Sequence, residues 1–242
     1  MKIQQTQHKD VVTVVEKDVL GGGKFTLDTG VYDLTIRQMY MVQNAGGSYS
    51  MQLVLETPDK KLYSPSIYFM DKTGDYTTIS NYGDTKGKRV NTIGYDQLDT
   101  ICKFAVGKSL VEVQDSAQTK TVIKQFSKDQ EKINVEMFMD VIGAKIQMAI
   151  EERRVNKTVD SGQLKPNGTK LYVPINEERL ENVHVKIFNE AGYTTEELAS
   201  NKPATFRDLW IEKKAGILVD KFKPVTGGVA TGVPKQTSAS TF

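Results

Sequence analysis

Thiol and imidazole groups are scarce in this 242-residue chain, which has one cysteine, Cys102, and two histidines, His8 and His184. A single cysteine excludes a disulfide framework and any Cys-x-x-Cys metal or redox motif. With His8 close to the start, a zinc site or a Ser-His-acid triad would rest on His184 alone. Net charge is nearly absent too, since 32 Lys and Arg face 30 Asp and Glu. That balance excludes a general polycation explanation of nucleic-acid binding, so any electrostatic site has to be local. No apolar run reaches the length of a membrane span or a signal-peptide core, which points to a soluble, intracellular protein that meets no membrane. The expectation is binding rather than catalysis, with no cofactor and no metal.

The glycine triplet Gly21-Gly22-Gly23 before Lys24 invites a phosphate-loop reading. That motif needs a glycine five positions before its Gly-Lys pair and a hydroxyl after it. Those places hold Asp18 and Phe25, so the triplet is a connection. Residues 1–30 are read as a flexible N-terminal segment that includes a β-branched run, Val11-Val12-Thr13-Val14-Val15.

From residue 31 the pattern is β. Leu34, Ile36, Tyr40 and Val42 share one period-2 register over residues 31–42, and Asn44-Ala45-Gly46-Gly47 supplies a turn. Residues 51–56 read as the hairpin partner and residues 62–69 as a third strand, with Pro65 marking an edge or bulge. Tyr95, Leu98, Ile101 and Cys102 then fall on one face of a helix over residues 95–104, which makes Cys102 a core residue. Two short strands are expected at 110–113 and 121–126 around a polar turn at 114–120, and a short helix at 136–142 ended by Gly143. Alternation returns over 145–155, and Asn167-Gly168 with Leu171-Tyr172-Val173 signals a hairpin. The acid pairs Glu151-Glu152 and Glu177-Glu178 lie beside Arg153-Arg154 and Arg179, a self-neutralised strand face. Thr194-Thr195-Glu196-Glu197 is a capping box for a helix through Ala199, and Thr205 caps another with Phe206, Leu209 and Trp210 on one face. Trp210, the only tryptophan, is expected to anchor that helix to the core. Residues 223–242, built of Gly, Pro, Ser, Thr, Ala and Val with little else, read as a disordered tail.

The stretch most suggestive of function is residues 63–108. There Tyr63, Tyr68, Phe69, Tyr76, Tyr82 and Tyr95 are interleaved with Lys72, Lys86, Lys88, Arg89, Lys103 and Lys108 and with glycines. A flat ring offers stacking to any base, and a cation offers a counter-charge to any phosphate, so the mixture suits single-stranded nucleic acid read without much sequence preference. The groove candidates are Arg37 and Tyr40 on the first strand and Tyr68 and Phe69 on the third. Lys72, Tyr76, Tyr82, Lys86, Lys88 and Arg89 follow in the long loop. Alternation puts Tyr68 and Phe69 on opposite faces, so one of the pair belongs to the core.

The order of features carries a resemblance. Leu34-Thr35-Ile36-Arg37-Gln38-Met39-Tyr40, then Leu53-Val54-Leu55, then Asn81-Tyr82-Gly83-Asp84-Thr85-Lys86-Gly87-Lys88 arrive in sequence. Ile93-Gly94-Tyr95, Val106-Gly107-Lys108-Ser109-Leu110, Asp140-Val141-Ile142-Gly143 and Trp210-Ile211-Glu212-Lys213-Lys214-Ala215-Gly216 follow. Together, over residues 31–221, they resemble the single-stranded-DNA-binding proteins of podovirus-type tailed bacteriophages.

The resemblance implies a mainly β chain with a few short helices (α+β), with an OB-fold-like five-stranded barrel, long loops and added C-terminal helices over residues 31–222. It implies a protein of the host cytoplasm that coats single-stranded DNA and meets phage replication proteins through its C-terminal tail. This tail departs from the acidic pattern common in such proteins, having no acid after Asp220. The competing expectation is a phage structural or assembly protein with a β-barrel domain.

Overall fold

The structure is a computed structural model that describes residues 26–123, 131–165 and 168–225. The run Val11 to Val15, the Gly21 triplet and the tail from residue 226 onward lie outside the described residues. Leu27 and Thr29 are buried, so the fold reaches into the end of the segment expected to be flexible.

Over the described residues the chain is mainly β with four short helices. In order come β1 (Gly30–Gln43), β2 (Tyr49–Glu56), β3 (Leu62–Tyr63), β4 (Ser66–Met70), β5 (Thr77–Ile79) and β6 (Arg89–Asn91). Then follow α1 (Ile93–Val106), α2 (Leu110–Gln114), β7 (Ala117–Ile123), β8 (Lys132–Phe138), β9 (Lys145–Leu164) and β10 (Lys170–Phe188). α3 (Thr195–Ala199), α4 (Phe206–Lys214) and β11 (Val219–Asp220) complete it.

β1 organises the sheet. One of its edges carries β2; the other carries β9 over residues 30–35 and meets β8 at Tyr40. A bulge between Ile36 and Gln38 shifts the register with β2. One extra residue flips the phase of every side chain beyond it. Leu34 and Ile36 before the bulge and Met39 after it therefore share the main core with Met51, Leu53 and Leu55 of β2. Tyr40 falls on the opposite face, 1% exposed, in a second cluster with Val122, Val135 and Met137. The uninterrupted register expected for Leu34, Ile36 and Tyr40 is corrected by that bulge.

α1 lies across the sheet because its apolar side chains recur at helical spacing. Leu98, Ile101 and Cys102 are fully buried, while Asp99 faces out to Lys103 at 2.7 Å. Thr92 caps it by accepting from the Tyr95 amide at 3.2 Å, and Gly107 ends it in the left-handed region at φ 72°. Its first turn touches β4 backbone to backbone: a Cβ on Gly94 would stand 1.8 Å from the Tyr68 carbonyl oxygen.

The sheets do not close into a barrel. Strand pairing runs β10-β9-β1-β2-β3, with β4, β8 and β11 as branches, and no ladder joins β3 or β4 to β10. α1 occupies that seam, and side chains bridge it instead. The Tyr63 hydroxyl is 3.1 Å from His184 Nδ1, and His184 Nε2 is 3.2 Å from Gln97 Oε1.

Local expectations change in the middle of the chain. Residues 110–113 are helical, because Ser109 and Glu112 form a reciprocal capping box. β7 begins at Ala117, inside the expected turn, and the helix expected at 136–142 is absent: residues 136–138 end β8, which pairs with β7 from Ala117 to Ile123, and residues 139–142 form a turn. Burial alternates along β8, with Val135 and Met137 inside. α3 has its capping box, but Thr205 makes no side-chain cap for α4; the Glu197 carboxylate accepts from the Thr205 and Phe206 amides instead, at 2.8 and 2.7 Å. α4 has no fully buried residue, so Trp210 is a half-buried flank rather than a core anchor.

Candidate nucleic-acid interface

β5 and β6 form a separate two-stranded sheet whose connecting loop is built by its own polar groups. Ser80 accepts from the Gly87 amide through its carbonyl at 2.8 Å and donates its own amide to Lys88 at 2.9 Å. Its hydroxyl lies 2.8 Å from that of Thr85. Gly83 and Gly87 take left-handed φ values that this tight path requires. The Ser80 and Thr85 hydroxyls are spent within the loop, and Tyr82 is 84% exposed. Lys86 and Lys88 are exposed on the same loop and make no ion pair among the described residues.

At the base of this ribbon, Tyr76 stacks on Tyr95 of α1 with centroids 4.2 Å apart and planes at 14°. Beside it runs a cleft of about 720 Å³ lined by Tyr68, Thr77, Thr78, Thr92, Ile93, Gly94, Gln97 and His184, among others. Tyr68 is half exposed, whereas Phe69, its neighbour on β4, is 6% exposed and belongs to the main core. Alternation is thereby resolved in favour of Tyr68. Phe69 and Tyr40 are corrections: both rings are closed off by packing and offer no face to a base.

The cations divide into free and engaged. Arg37 donates to Glu56 at 2.7 Å, and Lys60 donates to the same oxygen at 2.8 Å. The Arg37 hydrogen bond is the main reason the Glu56 carboxyl is held down at about 2. Arg89 contacts Asp75 and the Thr77 hydroxyl, each at 2.5 Å. Asp75 is itself lowered to about 2, first by the Thr77 hydroxyl and then by the Thr77 amide and Arg89. Asp71, lowered chiefly by the Thr73 hydroxyl, is the second carboxylate on the cleft. The cleft floor is thus not cationic. The exposed lysines of the candidate set, outside any ion pair among the described residues, are Lys86 and Lys88 on the β5–β6 loop and Lys72 on the turn after β4, the last beside Gly47 of the β1–β2 turn.

The structure therefore places Tyr68 on the cleft, with Arg89 on its Asp75 and Tyr76 on Tyr95 beside it, sets Tyr82, Lys86 and Lys88 on the β5–β6 loop, and leaves Arg37 on Glu56. Sequence reasoning placed Tyr95 on a core face and missed His184 and Gln97 as cleft residues. His184 is half-buried and its protonation is depressed by desolvation. Since Gln97 Oε1 can only accept, Nε2 carries the proton and Nδ1 accepts from Tyr63. A lone histidine in sequence gives no sign of this, because its partners are 121 and 87 positions away.

Among the described residues no cluster of three or more His, Cys, Asp or Glu side chains could hold a metal, and no helix is long and apolar enough to cross a membrane. No protein-family model matches the chain, and no curated protein matches it.

Proposed function

We propose that the protein binds single-stranded DNA with little sequence preference, protecting strands exposed during phage DNA replication and recombination in the host cytoplasm. The observation that carries this reading is Tyr82, 84% exposed on the loop that also carries Lys86 and Lys88, at the end of a ribbon whose Thr77 and Thr78 line a cleft together with Tyr68. Bases stack on the tyrosines and phosphates follow the exposed lysines Lys72, Lys86 and Lys88, since the two carboxylates in the cleft repel them from its floor. In this reading the sheet is OB-like, with α1 filling the seam where a barrel would close, and the strand lies in the cleft beside that helix.

The test is a titration of intrinsic fluorescence with poly-dT at several salt concentrations, with duplex of equal length as competitor. Preferential single-strand binding with a salt slope is expected, because stacking faces and backbone are both accessible only on a single strand. Replacing Tyr82 by Ala is expected to weaken binding by about 1–3 kcal/mol with little change in melting. Equal affinity for single strand and duplex sinks the groove. No retention on single-stranded-DNA resin at low salt favours the assembly-protein reading.

A further inference from the structure

The two carboxylates on the cleft beside α1 differ in what their neighbours leave them. Asp75 is fully engaged: Oδ1 accepts from the Thr77 amide and hydroxyl, and Oδ2 is held by Arg89. Asp71 accepts from the Thr73 amide, the Thr73 hydroxyl and the Asp75 amide, at 2.8, 2.7 and 3.0 Å, and all three arrive on Oδ1. Its Oδ2 makes no hydrogen bond among the described residues, and Asp71 lines the cleft.

Gln97 is the complementary case. A relay sets its orientation, because the Tyr63 hydroxyl donates to His184 Nδ1 at 3.1 Å and His184 Nε2 donates to Gln97 Oε1 at 3.2 Å. With Oε1 engaged there, the amino group at Gln97 Nε2 keeps its donors, and Gln97 lines the same cleft. Tyr68 lines it too and is half exposed. The Tyr68 carbonyl oxygen packs so closely on Gly94 that no Cβ fits between, which ties this ring's strand to the helix that carries Gln97.

An anionic acceptor, an amide donor and an aromatic face thus share one cleft of about 720 Å³, in the range of small-ligand sites. A phosphate has no N–H to give and is repelled by Asp71; a base edge has both donors and acceptors. Guanine alone among the four bases carries a carbonyl, O6, directly beside two N–H groups, at N1 and N2, on one edge. O6 accepts from Gln97 Nε2, and the two N–H groups share the lone pairs of Asp71 Oδ2. Thymine flanks its single N–H with a carbonyl on each side, so one of them meets the carboxylate. Adenine has no carbonyl for Gln97, and cytosine sets an acceptor nitrogen between its amino group and its carbonyl.

We propose that the cleft is a guanine-reading subsite within an otherwise unselective single-strand groove, with Asp71 and Gln97 as its specificity-determining residues and Tyr68 as its stacking platform. The subsite rests on the single-strand reading and deepens it: one base of the bound strand turns into the cleft and the phosphates stay outside.

The test is a competition against fluorescein-labelled oligo-dT, followed by anisotropy on the full chain, with unlabelled oligo-dT of the same length carrying no change or one central guanine, adenine or cytosine. One guanine is expected to tighten binding about fivefold, the low end for a base contact of this kind because Asp71 offers a single oxygen. Asp71→Asn keeps an oxygen for Thr73 and Asp75 and turns the other atom into a donor, so the guanine advantage is expected to vanish while oligo-dT still binds. Gln97→Glu, which sets an anionic oxygen against O6, is expected to remove it as well. The readout is a ratio of affinities, so a variant that merely loosens the fold does not imitate the result. Guanosine monophosphate is run as a separate competitor, since a free nucleotide carries the same edge, and it is expected to compete far more weakly than the guanine-bearing strand. Equal affinity for the four strands, or an advantage that survives Asp71→Asn, overturns the subsite and leaves the single-strand reading standing. Failure of every strand to bind overturns both, and binding of the monophosphate alone then assigns the cleft to a free nucleotide.

Discussion

The body around β1, β2 and α1 and the β9–β10 arm are both β structure, yet they are held by different forces. In the body, Leu34, Ile36, Met51, Leu53, Leu98 and Ile146 are at most 1% exposed and pack as one cluster. Along the arm, cross-strand ion pairs do the connecting: Lys157 with Glu177 at 2.9 Å, Lys170 with Asp160 at 2.7 Å, Arg154 with Glu178 at 3.3 Å. All are substantially exposed, and its large apolar groups, Leu164, Tyr172 and Leu180, are exposed as well. Exposed pairs contribute less than about 1 kcal/mol each, and a lone two-stranded ribbon is marginal in water. The arm therefore inherits its order from the body at one end, where Asn156 and Asn176 also hold the backbone of Lys223 and Val225.

Sharp differences in mutational cost follow. Leu98→Ala is expected to lower unfolding free energy by about 2–5 kcal/mol, whereas Leu164→Ala, in the arm, stays within about 0.5 kcal/mol. Equal costs in urea denaturation would erase the distinction. Gly94→Ala comes next, at about 1–3 kcal/mol from overpacking, because the Tyr68 backbone rather than a movable side chain blocks the new methyl.

An acid-dependent contact at Glu197 sharpens the comparison from outside both regions. Its carboxylate accepts from the Thr194, Phe206 and Thr205 amides and is held at about 2, below the ordinary 4.5. A depressed value means the contribution is present above the ordinary carboxylate range and is lost as pH falls through about 2. Glu197→Gln is expected to flatten the acid side of a melting-temperature profile. The smallest effect is in the arm: Lys157→Ala changes stability by less than about 1 kcal/mol, and added salt hides even that.

How much of this was legible in the sequence depends on range. The α1 helix, the capping box at Thr194 and the β1–β2 hairpin are local patterns, and each is present. Ser109-x-x-Glu112 is equally local, but Val111 and Val113 suggested a strand there. The β1 bulge leaves no mark in a two-residue period, which is why Tyr40 was assigned to the wrong face. Tyr76 and Tyr95 meet through a turn and a helix start, and Asn156 meets Lys223 across 67 positions. Asparagine in a strand reads as a turn residue, so its use as a substitute peptide group is visible only once the arm exists.

The solitary thiol makes this protein its own reporter. Cys102 sits at 0% exposure between α1 and the sheet, and the charged form that reacts is suppressed there. A thiol reagent in excess therefore modifies the wild-type chain only during moments when α1 lifts away. The labelling rate counts those moments directly, and on the proposed function a single strand in the adjoining cleft is expected to slow it.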